Sequence, residues 1–251
     1  MAVSLNRLDA ARRNLREERR RCVDEREAFR AFQKDVSGLK ATAPTPRTPP
    51  AIGHRQTTDS ALTRVRRAYE RTVMSVPHYD VEYGDSFEDS VSAEFGPDVA
   101  TAFQSASVFS PALRHTVVSA AAAAVDERTE FVRVVDEESE SIESMRDEIA
   151  AIVGRLSDLD DALHSTCGFD ELLTLYSEIS DFQDRLSTLV EQRQKTITNH
   201  RRALSSWVPD VTEFFYEDLP TRYPVLATLA DVGGELDTVT RRVERQLASA
   251  P

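Results

Sequence analysis

Between Phe131 and Leu204 apolar residues repeat with the period of two helices that seal one another. Phe131, Val135, Ile142, Met145, Ile149, Ile152, Leu156, Leu159 and Leu163 follow steps of four and three, interrupted once by the polar Glu138. The pattern stops at His164-Ser165-Thr166-Cys167-Gly168. It restarts at Leu172, Leu175, Ile179, Phe182, Leu186 and Leu189 and continues less regularly through Ile197 and Leu204. A seam of this period is buried only against another like it, so 129–204 is expected to form an antiparallel coiled-coil hairpin.

The flanking segments also read as helices. Leu8, Leu15, Cys22, Phe29 and Val36 fall every seven residues, with Leu5 and Phe32 beside them, while the companion positions hold Arg12, Arg19, Arg26 and Gln33. A stripe so narrow, with half its seam charged, predicts an amphipathic helix over 1–40 that needs a partner surface. Prolines 44, 46, 49 and 50 then make 41–57 an extended linker. Asp59 is the expected N-cap of a helix carrying Leu62, Val65, Tyr69, Val73 and Val76, which Pro77 ends. Short helices at 86–95 and 97–105 are separated by Gly96-Pro97, and Ser110 with Pro111 opens the long helix that enters the hairpin. After Leu204 come Trp207, Phe214, Phe215, Tyr216 and Tyr223, which need a surface to cover them, and a last helix from Pro224 to Leu247, weakened at Gly233-Gly234.

The expected fold is therefore all-α. A long antiparallel coiled-coil hairpin projects from a small helical head built from 58–128 and 205–250, with a separate N-terminal helix at 1–40. The chain of 251 residues is long enough for this plan, and its low glycine and proline content favours long helices over sheet.

Charge divides the chain more sharply than its net value of −12 suggests. Residues 1–57 carry thirteen basic and seven acidic groups, a balance of +6, which leaves −18 on the remainder. Lysine is confined to Lys34, Lys40 and Lys195. An acidic, lysine-poor composition resembles that of proteins from salt-accumulating archaea, in which carboxylates keep the surface hydrated. No stretch approaches eighteen uncharged apolar residues, so no membrane partner is expected and the protein is expected in the cytoplasm. Cys22 and Cys167 have no metal-ligand or disulfide spacing around them.

Three groups of residues are candidates for function. His78, Asp80, Glu82 and Asp85 bring imidazole and carboxylate donors close together in one loop, the donor set of a divalent cation, without matching a metal motif. Glu138, Arg193, Lys195 and His200 lie at or beside seam positions near the hairpin base. If partner numbers across the hairpin sum to roughly 335, Glu138 faces Ile197 with Lys195 and Arg201 a turn away, and either a polar contact there sets the register of the arms or the arms splay and these groups are hydrated. Arg12, Arg16, Arg19, Arg20 and Arg26 form a basic helix face interrupted by Glu17, Glu18, Asp24, Glu25 and Glu27, which suits docking on the acidic body of its own or another chain better than binding of phosphates.

Nucleophilic chemistry has no motif to stand on, since the chain lacks a GxSxG elbow, a Gly-rich phosphate loop and HExxH. Neither enzymatic activity nor a cofactor is expected. The stretches Ala68–Tyr79, Ala93–Pro97 and Leu219–Leu226 resemble a family of uncharacterised haloarchaeal proteins, over roughly 60–247 and without the basic arm. That resemblance implies a helical protein of unassigned function and assigns no site residue. The first expectation is a non-enzymatic scaffold that engages another protein or a second copy of itself. The alternatives are a nucleic-acid-associated factor that uses the basic helix, and a hydrolase or metal-binding protein housed in the head.

Overall fold

The computed structural model describes residues 3–42, 60–164, 167–204 and 211–249. The expected linker at 41–57, apart from its first two residues, the centre of the hairpin turn, Trp207 and the expected cap Asp59 lie outside them. Among the described residues every regular element is helical, so the protein is all-α. In chain order the helices are α1 (Asn6–Ser37), α2 (Ala61–Thr72), α3 (Tyr79–Glu82), α4 (Phe87–Phe95), α5 (Pro97–Ser105), α6 (Pro111–Ala162), α7 (Phe169–Ala203), α8 (Val211–Tyr216) and α9 (Pro224–Ser249), with a single 3₁₀ turn at Val73–Ser75.

Local chemistry explains where the helices begin and end. Ser60 caps α2 by accepting from the Thr63 amide at 3.1 Å, and Ser86 caps α4 by accepting from Asp89 at 3.2 Å. Gly96 takes φ 87°, a conformation that side chains disfavour, and so ends α4 just before Pro97 starts α5. Ser110 accepts from the Leu113 amide at 3.2 Å ahead of Pro111, and the 52-residue α6 runs from there without a break. At the start of α7 the Gly168 amide donates to Glu171 at 2.9 Å.

The chain forms two compact units, one from Arg19–Arg133 and one from Met1–Glu18 with Val134–Pro251. In the first, Phe29, Phe32 and Val36 of α1 join Val65, Tyr69, Phe87, Val91 and the opening turns of α6 in one apolar core. Tyr69 meets Phe32 edge-on at 5.2 Å and Phe87 at 5.5 Å, while its hydroxyl hydrogen-bonds the Ser90 hydroxyl at 2.9 Å. Paired in this way, a buried phenol keeps its apolar area without an orphaned oxygen.

The second unit contains the hairpin. Arg155 of α6 pairs with Glu178 of α7, and Arg185 of α7 with Glu148 of α6. Moving from one pair to the other, the two helices advance by equal and opposite steps, which makes them antiparallel and in constant register. Ile142, Met145, Ile149, Ile152, Leu156 and Leu159 of α6 and Leu163 just beyond it are buried, as are Leu172, Ile179, Leu189 and Ile197 of α7. Of the anticipated seam positions, Phe131, Leu175, Phe182 and Leu186 are only half-buried.

The seam is not sealed by two helices alone. Helix α9 packs along α7, burying Val225, Leu229, Val232, Leu236, Val239 and Val243, and Gln246 reaches the Leu163 carbonyl at 3.0 Å. It continues through Gly233-Gly234 without interruption. On α6 the N-terminal turns of α1 bury Leu8, Ala11 and Leu15, with Arg12 on Glu143 at 2.8 Å and Asp9 on Arg146 at 3.0 Å. The unit is a helix bundle with short side chains and ion pairs at its margins.

Two expectations are corrected here. The N-terminal helix is not separate: its apolar stripe is core, and of the arginines at its companion positions the half-buried Arg12 and Arg26 reach the carboxylates of Glu143 and Glu27. The segment after the hairpin does not join 58–128 in a head, because α8 and α9 belong to the unit that holds the hairpin. Their apolar stripes match the flanks that a two-helix seam leaves uncovered.

Replacing Leu15 by Ala is expected to lower the unfolding free energy by about 2–5 kcal/mol, as for a buried leucine. Arg16→Ala on the exposed side of the same helix should change it by less than about 0.5 kcal/mol. Urea denaturation followed by circular dichroism measures both, and equal small effects would mean that α1 is a dispensable arm.

Candidate functional site

Glu138 occupies a seam position of α6 and Arg193 one of α7, and each would be an error in an apolar seam unless it met the other. They do meet. Arg193 donates from Nη1 to Glu138 Oε2 at 2.9 Å and from Nη2 to Oε1 at 2.5 Å, a bidentate pair that is 1% and 2% exposed. The Tyr216 hydroxyl at the end of α8 donates to Oε1, and His200 Nδ1 lies 3.2 Å from Oε2. Arg193 Nη1 also sits 3.5 Å from Ser141 Oγ. Four donors from three side chains thus converge on one carboxylate.

The electrostatic balance follows from those contacts. Burial alone would push the Glu138 carboxyl up, but the hydrogen bond from His200 and the charge and hydrogen bonds of Arg193 outweigh it and hold the group down at about 2. Burial would likewise lower Arg193, and the Glu138 charge reverses this, so its guanidinium is held above its ordinary value. Tyr216 is raised well above the ordinary phenol, first by burial and then by the adjacent carboxylate, and it remains a donor. Lys195, grouped with these residues on sequence, is not among them: it faces outward on α7 beside Glu191, Gln194 and Thr198.

A second polar network lies in the other unit. Glu25 of α1 accepts from the Tyr83 hydroxyl at 2.9 Å and from Arg128 Nε at 3.1 Å, and its Oε1 lies 3.0 Å from His78 Nε2. Arg128 also donates to Glu94 at 2.8 Å and lies over the Phe29 ring at 4.6 Å. Burial is the main reason why the Glu94 carboxyl is raised, in spite of Arg128.

Two members of the candidate metal loop have their partners outside it. His78 faces Glu25, Glu82 pairs with Arg21 at 2.6 Å, and Asp80 and Asp85 stay exposed. Among the described residues no three His, Cys, Asp or Glu side chains are grouped to hold a metal ion.

The basic face of α1 is likewise largely taken up within the protein. Arg12 meets Glu143, Arg26 meets Glu27 at 3.1 Å, and Arg20 stands 4.0 Å from Asp24. Arg16 and Arg19 remain on the exposed side.

One feature of the surface was not anticipated. At the start of α7, Phe169, Leu173 and Tyr176 are 50%, 46% and 42% exposed, although Leu172 and Ile179 of the same helix are buried. Their i, i+4, i+7 spacing makes one continuous line along the helix. Only Leu173 and Tyr176 lie inside the repeat that marks the seam, and neither belongs to it. A second apolar line on a helix whose seam is already assigned was the available signal.

These features define a class, a helical protein with buried internal charge networks and an exposed apolar line on α7. The model of DUF7260, a domain of unknown function, matches residues 6–240, and the chain belongs to that family. The match begins in α1, so the N-terminal helix is part of the family's domain and not, as the resemblance had it, outside. No curated protein and no solved structure matches the chain. No described helix is long and apolar enough to cross a membrane.

Glu138→Gln is expected to destabilise the fold by about 3–5 kcal/mol near neutral pH, because Arg193 is left buried without its counter-charge. The pH dependence has a definite sign. A carboxyl held at about 2 against an ordinary 4.5 stabilises the folded state fully above pH 4.5, and that contribution drains away as pH falls from there through 2. The gap in urea midpoint between the wild type and Glu138→Gln should therefore narrow across that window, and a gap independent of pH would contradict the assignment.

Proposed function

We propose that the protein is a non-enzymatic interaction scaffold, and that the line Phe169, Leu173 and Tyr176 on α7 is where another protein attaches. The observation that carries this is the exposure of three large apolar side chains in register on a helix whose other apolar residues are buried or half-buried. Contiguous apolar surface of this kind marks association surfaces more often than solitary exposed residues do. The internal chemistry supports the same reading, because the oxygens of Glu138 are committed to Arg193, Tyr216 and His200 and have no open side toward a substrate. The acidic, lysine-poor composition supports a salt-rich cytoplasm as the setting.

The test is purification from the native host at its own salt, comparing wild type with Leu173→Glu. A protein retained by the wild type and lost with the variant is the expected result, given a variant whose melting curve is unchanged. If wild type and variant retain the same set of proteins, the α7 line is not an attachment surface.

A further inference from the structure

We infer that the α7 line receives a basic amphipathic helix belonging to another protein; this rests on the interaction reading and adds the chemistry of the partner. The spacing supplies the first half of the argument. Anchors at i, i+4 and i+7 on one helix present a ridge that a second helix takes between its own apolar side chains, as in helix-in-groove recognition. Ser180 lies on the same line a turn beyond Tyr176 and is exposed, so the ridge falls away without a steric stop.

Charge supplies the second half. At about 100° per residue, Asp170, Asp181 and Asp184 all project on one flank of the line. All three are exposed, and none of them has an ion pair among the described residues. They contrast with the acidic groups elsewhere on the hairpin, such as Glu148 and Glu178, which arginines of the facing helix neutralise. An apolar ridge with a row of unneutralised carboxylates along one side is complementary to a helix with an apolar stripe edged by Lys or Arg.

A second copy of the chain is the less fitting occupant. The apolar stripes of α1 and α9 are already buried, so among the described residues neither helix has a face to offer. The α7 line could pair with itself, but an antiparallel two-fold pair sets the two acidic flanks side by side, where like charges repel.

The experiment uses the full chain, at two salt concentrations where circular dichroism shows it folded. The probe is a labelled Leu/Lys peptide with leucines at helical spacing, compared by fluorescence anisotropy with a scrambled peptide of the same composition and with a Leu/Glu peptide of the same pattern. Patterned Leu/Lys should bind at least about tenfold more tightly than scrambled Leu/Lys, as expected where a few buried anchors dominate the energy. Leu173→Glu, and separately the milder Tyr176→Ser, should remove that preference. Asp170→Asn, Asp181→Asn and Asp184→Asn combined should weaken binding about threefold to tenfold and flatten its salt dependence.

Equal binding of the scrambled peptide, or preference unaffected by Leu173→Glu and Tyr176→Ser, overturns the proposal. Binding of Leu/Glu as tight as Leu/Lys, still lost with Leu173→Glu, overturns the basic partner while leaving the interaction surface standing. A concentration-dependent dimer in sedimentation, dispersed by Leu173→Glu, assigns the line to a second copy instead.

Discussion

A carboxylate taken out of water has to be met by donors, and Glu138 makes that demand in the middle of α6. Its position in the apolar repeat leaves it no path to solvent. The answer comes from two directions: α7 brings Arg193 and His200 across the seam, and α8 closes the remaining side with Tyr216. Each donor is useful only in one placement. Shifting α7 along α6 by a turn would carry the guanidinium away from the carboxylate and leave two buried charges, at a cost of several kcal/mol.

That penalty gives the seam something its apolar residues lack. Leucine and isoleucine repeating at heptad spacing fit nearly as well after a slip of seven residues, because one apolar knob resembles the next. The single Glu138–Arg193 pair removes the degeneracy, and the outlying pairs Arg155–Glu178 and Arg185–Glu148 agree with the register it selects. Exposed pairs of that sort contribute little energy individually. The buried one discriminates between registers through the cost of mismatching it, whatever it adds to net stability.

Much of this bundle was legible from the chain because periodicity is a local property. The seam, the cap at Ser110 and the break at Gly96-Pro97 each depend on residues within a turn or two of each other. The polar centre was legible in part. Glu138, Arg193 and His200 stand out as polar groups at or beside seam positions, but a pairing register inferred from turn position alone set Glu138 opposite Ile197 and drew in Lys195, which faces outward. Tyr216 could not be assigned to the centre because it comes from beyond Leu204, and nothing in an aromatic-rich stretch says which apolar surface it will cover. The same limit explains the loop at His78: its nearest carboxylates in sequence are Asp80 and Glu82, while its partner in space is Glu25, on a helix that begins before the proline cluster.

The charge asymmetry of the chain takes on a different meaning once α1 is in place. A basic segment tethered to an acidic chain invites a search for an external polyanion, yet Arg7 pairs with Asp231, Arg12 with Glu143 and Arg21 with Glu82, each joining α1 to a helix of its own unit. Because the arginines alternate with acids, α1 also accepts charge in return, from Arg146 on Asp9 and from Arg128 on Glu25. The first segment therefore exchanges charge of both signs with its own units. Other carboxylates have no ion pair among the described residues, and Asp170, Asp181 and Asp184 are such groups lying beside the exposed apolar line of α7. Charge left over beside a polar surface is a matter of hydration; beside half-exposed Phe169, Leu173 and Tyr176 it would, on the interaction proposed for that line, decide which partner can cover them.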